Sequence, residues 1–294
     1  HSSKWLEKEI NEISEIENLT VKTRTSIAAY HGYNYLLARE NLTDHLSIKD
    51  KKDKIRQRLW KIRAKKVIVA TGAIERPLVF NNNDRPGILL SNSINKYLDY
   101  YGVACGKNII LFTNNDSAYE TAISLHKKGI KNLIVDLRKN SQSEIAKQAQ
   151  NLGIKIYFNH VVTNTFGYRR INSVELMELS DDGNTTIGNK IKLNCDCLGI
   201  SGGWTPMVHM HTQSGGKLDF KNDDQVFIPK EIDNDQISVG ACNGDFDLET
   251  IIDKTVNKIN IFLEINNQDY KNTKVDCSIE KEKRNIPKCN FFFT

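Results

Sequence analysis

The chain contains no apolar stretch approaching the ~18 residues that cross a bilayer, and no Gly-x-Gly-x-x-Gly run anywhere in its 294 residues. The first absence excludes a membrane-spanning helix. The second removes the loop that ordinarily grips a dinucleotide pyrophosphate at a helix N-terminus. Proline is scarce, at 5 residues, so no proline-rich linker divides the chain. The 6 cysteines include no Cys-x-x-Cys pair and no zinc spacing, which argues against thiol–disulfide exchange and against a structural zinc site. An excess of one charge is also missing, with 41 basic residues against 36 acidic ones. Lys49, Lys51, Lys52 and Lys54 are interleaved with Asp50 and Asp53, so they read as a solvated loop and not as a nucleic-acid patch. No Ser-His-Asp set or carboxylate pair offers a catalytic centre or a metal site. No secretory leader is visible, and the expectation is a cytoplasmic protein.

What is present begins with Lys66-Val67-Ile68-Val69-Ala70-Thr71-Gly72-Ala73-Ile74-Glu75-Arg76-Pro77. A β-branched run makes a buried strand, a small-residue corner allows a ligand to approach the backbone, and Pro77 forbids a helix. A strand followed by Ala-Thr-Gly and then proline resembles the connector of flavoproteins with two dinucleotide domains. A hydrophobic content of 39% suffices for one large or two modest cores.

Upstream, Leu6, Ile10, Ile13 and Ile16 recur at helical spacing, and Ser2 or Ser3 would cap that helix. Strands are expected at Leu19–Thr23, Tyr30–Arg39, Leu59–Ala64 and Lys65–Ala70. Downstream, Lys107–Phe112, Asn132–Asp136 and Lys155–Phe158 read as strands, alternating with helices at Ser117–Lys128 and Ser143–Leu152. That alternation specifies a parallel sheet with right-handed crossovers. Val161-Val162, Ser173–Leu179 and Lys190–Leu193 then form a small antiparallel insert, punctuated by Asp181-Asp182-Gly183-Asn184.

The turn after the first strand of this second unit is Thr113-Asn114-Asn115-Asp116-Ser117-Ala118. A dinucleotide site wants glycines there, and Asp116 would set a negative charge near the phosphates. Asp136 stands where a ribose-binding acid would, but without the glycines the unit reads as architecture. Leu198–Pro206 leads back to the first domain, with Gly202-Gly203 permitting close backbone approach and Trp204 placed to plug the interdomain gap or to cover a ring. Ile237–Ala241 is the last strand and glycine turn. Leu248–Leu263 is the closing helix, with Ile251, Ile252, Val256, Ile259 and Leu263 on its buried side. Cys195 and Cys197 read as small apolar filling, and His209 and His211 as loop histidines near a partner surface.

Six motifs in order carry a family resemblance. They are the Ala70-Thr71-Gly72 connector, Asn83-Asp84-Arg85-Pro86-Gly87-Ile88, Tyr97–Ala104, Phe112–Tyr119, Ser201–Pro206 with Val208-His209, and Gln213-Ser214 with Gly216-Lys217-Leu218. From about Trp5 to about Glu264, the chain resembles the alpha subunit of heterotetrameric sarcosine oxidase. The resemblance implies an α/β, Rossmann-like fold with two FAD/NAD(P)-binding-type domains, the first of them incomplete. Residues 1–74 and 195–264 would form that first domain, 75–194 the second, and 265–294 a linker or tail. It implies a fragment lacking an upstream glycine-rich loop and a downstream folate-binding domain, inactive by itself.

The resemblance further implies NAD in the first domain, over Ala70, Thr71, Gly72, Gly203, Trp204, Gly240 and Ala241. Ala241 stands where FAD-binding relatives carry an acid. FAD and FMN would lie mainly on the beta subunit or its interface, and tetrahydrofolate on the missing domain. Beta, gamma and delta subunits and a small amine substrate would be the partners, with no nucleic acid and no membrane. The implied activity is oxidative demethylation of sarcosine to glycine, with no catalytic residue on this chain. Alternatives are the alpha subunit of a related proline, opine or cyanide-forming glycine dehydrogenase, or a scaffold without nucleotide.

Overall fold

The computed structural model describes residues 2–230 and 235–264, and its contacts divide them into two compact units. The expected tail at 265–294, with Cys277, Cys289 and Phe291–Phe293, lies outside the described residues.

The first unit holds the residues up to Ala73, Pro206–Lys221 and the described residues from Val226 onward. It opens with the expected helix, Ser2–Ser14, whose Leu6, Ile10 and Ile13 are 42–55% exposed. Thr25–His31, Tyr35–Asn41 and Gln57–Arg63 make an antiparallel meander. No strand forms at Leu19–Thr23. The run expected as one strand from Tyr30 to Arg39 is folded back at Tyr33 and Asn34, whose φ of 58° and 51° are the left-handed values a tight hairpin needs. Asn34 tolerates this region because its short polar side chain bonds locally. Its Oδ1 accepts from Tyr30 Oη at 2.6 Å, and its Nδ2 donates to the Lys65 and Asp235 carbonyls at 3.1 and 3.0 Å.

Asn34 therefore ties the hairpin to the approaches of two parallel strands, Val67–Val69 and Gln236–Ser238. Tyr30, Leu36, Val69 and Cys242 form the local core. Asp247 caps the helix Leu248–Leu263, accepting from Thr250 N at 2.9 Å. That helix is only partly covered: Val256 and Leu263, expected on its buried side, are 42% and 41% exposed.

The second unit, Ile74–Thr205 with Asn222–Gln225, is built on a parallel sheet. Its strand order is Ile88–Leu90, Cys197–Ser201, Asn108–Thr113, Lys131–Asp136, Lys155–Phe158. Alternation along the strands splits the core by face. Ile109, Leu111, Ile134 and Cys197 pack against the helices Ser91–Asp99, Ser117–Lys127 and Glu144–Asn151. Ile110, Phe112, Val135 and Leu198 face the three-stranded insert His160–Phe166, Ser173–Leu179, Thr186–Asn194.

One boundary differs from the sequence reading. Cys197–Ser201, expected to have returned to the first domain, lies inside this sheet, paired with Asn108–Thr113 on one side and Ile88–Leu90 on the other. Its run of apolar and small residues, buried throughout, is what a strand covered on both faces requires. Gly199 admits the helix above it, since a Cβ there would lie 2.4 Å from Leu111 Cδ2 and 2.8 Å from Ile94 Cδ1.

Candidate nucleotide-binding site

The parallel pairing of Val67–Val69 with Gln236–Ser238 sets Gln236 opposite Val67 and Ser238 opposite Val69. Both strands then run out at the same end, and Val239 N donates to Val69 O at 2.9 Å. Ala70-Thr71-Gly72 and Gly240-Ala241 are thereby brought side by side at the carboxyl ends of adjacent parallel strands, where open α/β sheets bind ligands. Gly72 and Gly240 have φ of +74° and +72°, conformations that L side chains rarely adopt. No atom lies within 4 Å of where a Gly72 Cβ would sit, so the backbone there faces open space.

The corner is held from below. Thr71 Oγ1 donates to Met207 O at 2.7 Å, Met207 N returns a bond to Gly72 O at 2.9 Å, and Cys242 Sγ lies 3.3 Å from Val69 O. Beside Gly240 opens a cleft of about 490 Å³, lined by Ile228, Val239, Asn243, Asp245 and Lys254 among others. Asp245, the acid nearest Ala241, is taken by Lys254 Nζ at 2.5 Å. Of the residues expected at the site, Gly240 lines this cleft, whereas Ala70, Thr71, Gly72 and Ala241 do not, and Lys221 and Lys258 add charge to its wall.

Gly203 and Trp204 fall in the second unit. Gly203 O accepts from Arg76 N at 2.8 Å, and Arg76 also donates from Nε to Gly202 O and from Nη1 to Gln225 O. Trp204 Nε1 donates to Ser117 Oγ at 2.9 Å, so its indole is fixed to the first residue of the helix behind the Thr113–Asp116 turn. Glu75 is 6% exposed and accepts from Asn92 N at 2.8 Å, supplying the cap that Leu90 cannot give the helix Ser91–Asp99. Burial raises its pKa above the ordinary carboxylate value, with bonds from Ser201 and Asn92 pulling the other way.

Arg138 is the residue that sequence reasoning missed. Its guanidinium lies between Asp136, at 2.8 Å, and Asp116, at 2.7 Å, and is buried with them. Tyr119 Oη completes the set, donating to Asp136 Oδ2 at 2.7 Å. Burial alone would lower the arginine pKa, but the two carboxylates reverse that and push it up. Burial, then Asp136, pushes the Tyr119 phenol up as well. An arginine two residues past an acid at the end of a buried strand was the available signal.

His209 and His211 stand in different surroundings. His209 is exposed, whereas His211 is buried against Gly216 with Nε2 at 2.9 Å from Lys217 O. Among the described residues no cluster of three or more His, Cys, Asp or Glu side chains is placed to hold a metal ion, and no helix is long and apolar enough to cross a membrane.

No family model matches the chain. It is 35% identical over 243 residues to sarcosine oxidase subunit alpha of Corynebacterium sp. (strain U-96), covering 83% of this chain and 25% of that protein. It is 30% identical over 234 residues to the same subunit of Rhizobium meliloti (strain 1021), covering 79% of this chain and 22% of that protein. Among solved structures, L-proline dehydrogenase from P. horikoshii superposes with a TM-score of 0.55 at 21% identity, over 81% of this chain and 40% of the other. Lactococcus lactis thioredoxin reductase gives 0.51 at 18%, over 79% and 71%. The fold is that of the FAD/NAD(P)-binding oxidoreductases. The chain spans about a quarter of the length of the curated relatives it matches, and over most of its own length it is similar to the alpha subunit of sarcosine oxidase.

Proposed function

We propose that this chain is part of the alpha subunit of a sarcosine oxidase-like flavoenzyme complex. In this reading it supplies a flank of an NAD site and a scaffold unit, and the amine is oxidised on another subunit. The observation that carries the reading is the meeting of Ala70-Thr71-Gly72 with Gly240-Ala241 at the ends of paired parallel strands. It stands in a sequence 35% identical to such subunits. The adjoining cleft of about 490 Å³ has the size of a small-molecule pocket.

NAD would run over Thr71-Gly72 and Gly240-Ala241, while Gly203 and Trp204 act within the second unit. FAD and FMN would serve the oxidation on or beside the beta subunit, and tetrahydrofolate would take the one-carbon unit on a further domain. Beta, gamma and delta subunits would complete a cytoplasmic heterotetramer acting on sarcosine.

The test is to purify the full-length parent with its co-expressed neighbours, denature it, and identify the released cofactors by mass. NAD together with FAD and FMN is the expected result. FAD alone, with reduction by NADPH, overturns the reading.

A further inference from the structure

The carboxyl end of the second unit's sheet is where a doubly wound fold would bind a dinucleotide. A ligand there would need three things: an open turn after Asn108–Thr113, exposed N–H groups at the start of the helix Ser117–Lys127, and a ribose-binding acid at the end of Lys131–Asp136. All three are already used. The Thr113–Asp116 turn is at most 3% exposed. Ser117 N donates to Asn115 Oδ1 at 2.9 Å, and Asn115 Nδ2 donates to Ser201 O and Oγ, each at 3.1 Å. The first N–H of the helix is therefore taken by the chain's own amide, and Tyr119 N donates to Asp116 O at 3.0 Å.

Asp136, fully buried, is saturated by four donors. Its Oδ1 accepts from Arg138 N at 2.9 Å and Nε at 3.0 Å. Its Oδ2 accepts from Arg138 Nη2 at 2.8 Å and Tyr119 Oη at 2.7 Å. Asp116 Oδ1 takes the same Nη2 at 2.7 Å and Ser141 Oγ at 3.3 Å. Two carboxylates share one guanidinium, so acids outnumber the cation in a cluster set at the end of the sheet where a pyrophosphate would add further negative charge.

We infer that the second unit has exchanged its dinucleotide crevice for an internal guanidinium clamp, in which Arg138, held by Asp116 and Asp136, closes the site to pyridine nucleotides. Geometry, charge and donor supply each oppose the ligand separately. Reducing equivalents from NADH or NADPH therefore do not enter through this unit, whatever flavins the complex holds. The inference concerns the Ile74–Thr205 unit alone and stands whether or not Thr71-Gly72 binds NAD.

The test is photo-crosslinking of the full-length chain, in complex with its co-purified subunits, by 8-azido-NAD and 8-azido-NADP, with labelled peptides mapped by mass. The expected result is no label within 113–141 that excess unmodified nucleotide protects. Protected label within 113–141 overturns the clamp. Label confined to peptides around 70–72 or 240–245 supports both this inference and the proposed NAD site. No protected label anywhere upholds the clamp and leaves the NAD site to the mass identification of released cofactor, so the two readings fail separately.

Discussion

Arg138 forks onto the carboxylate of a residue only two positions before it: Nε lies 3.0 Å from Asp136 Oδ1 and Nη2 2.8 Å from Oδ2. The short spacing brings the side chain back over the strand end, where Asp116 meets it from the neighbouring turn. Removing the cation would strand two buried carboxylates. Arg138→Met should lower stability by about 3–5 kcal/mol, the cost of breaking a buried pair from one side. Urea unfolding measures it. A loss below about 1 kcal/mol, the worth of an exposed pair, would contradict the burial described here.

Glu75 gives a pH-dependent prediction. Its folded pKa is raised, chiefly by burial, so folding favours its protonated form. The associated stability is fully present below the ordinary carboxylate pKa and is lost as pH rises through the raised value. Glu75→Gln keeps an acceptor for Asn92 N without a charge to bury. It should therefore gain on the native protein as pH goes from 5 to 8. Glu75→Ala removes the cap of the helix Ser91–Asp99 and should lose ~1 kcal/mol at pH 5. Melting curves of both variants across that range decide the matter, and a Gln variant that loses ground with rising pH rejects it.

Two glycines separate spatial from conformational constraint. A Cβ at Gly202 would lie 2.9 Å from the carbonyl oxygens of both Arg76 and Pro77, so Gly202→Ala must move backbone and should cost ~1–3 kcal/mol. Gly72→Ala meets nothing within 4 Å but sits at φ +74°, for a backbone cost of ~1–2 kcal/mol. Moving Gly72→Ala to Gly72→Asn, a residue that tolerates this region, should recover most of the loss. Gly202→Asn should recover none. Thermal denaturation of the four variants checks both.

Cys195 and Cys197 should be inert. Burial pushes Cys195 and Cys197 up to about 12 each, and Cys105 is raised as well. All three stay protonated at neutral pH, and thiolate is the reactive form. Iodoacetamide at pH 8 should leave Cys195 and Cys197 unlabelled in the native protein and label both in urea, as peptide mapping would show.

Much of the fold was legible because its signals are local. The β-branched runs of the parallel sheet, the helix expected from Ser143 to Leu152, and the Asp181–Asn184 turn each read directly from residue type. Tyr33-Asn34 escaped because the hairpin depends on positive φ at a tyrosine, which no propensity favours. Cys197–Ser201 was placed in the wrong unit because an apolar strand does not say which sheet it joins; only its pairing with Asn108–Thr113 does. At the candidate site, Ala70-Thr71-Gly72 and Gly240-Ala241 were readable as bare corners. The role of Arg138 was not, since it follows from two acids brought together by different turns.

The pairing of Val67–Val69 with Gln236–Ser238 also sets an order of events during folding. The two strands are separated by the whole Ile74–Thr205 unit, and Cys242 Sγ reaches Val69 O across 173 residues of chain. A contact this distant in sequence forms late, because the intervening chain must be closed before the pairing rewards it. On a ribosome, the parallel sheet with its Arg138 clamp emerges complete before Gln236 does, and domains generally fold as units as they emerge. The inserted unit thus matures first, and the corner that joins Thr71-Gly72 to Gly240-Ala241 is assembled last.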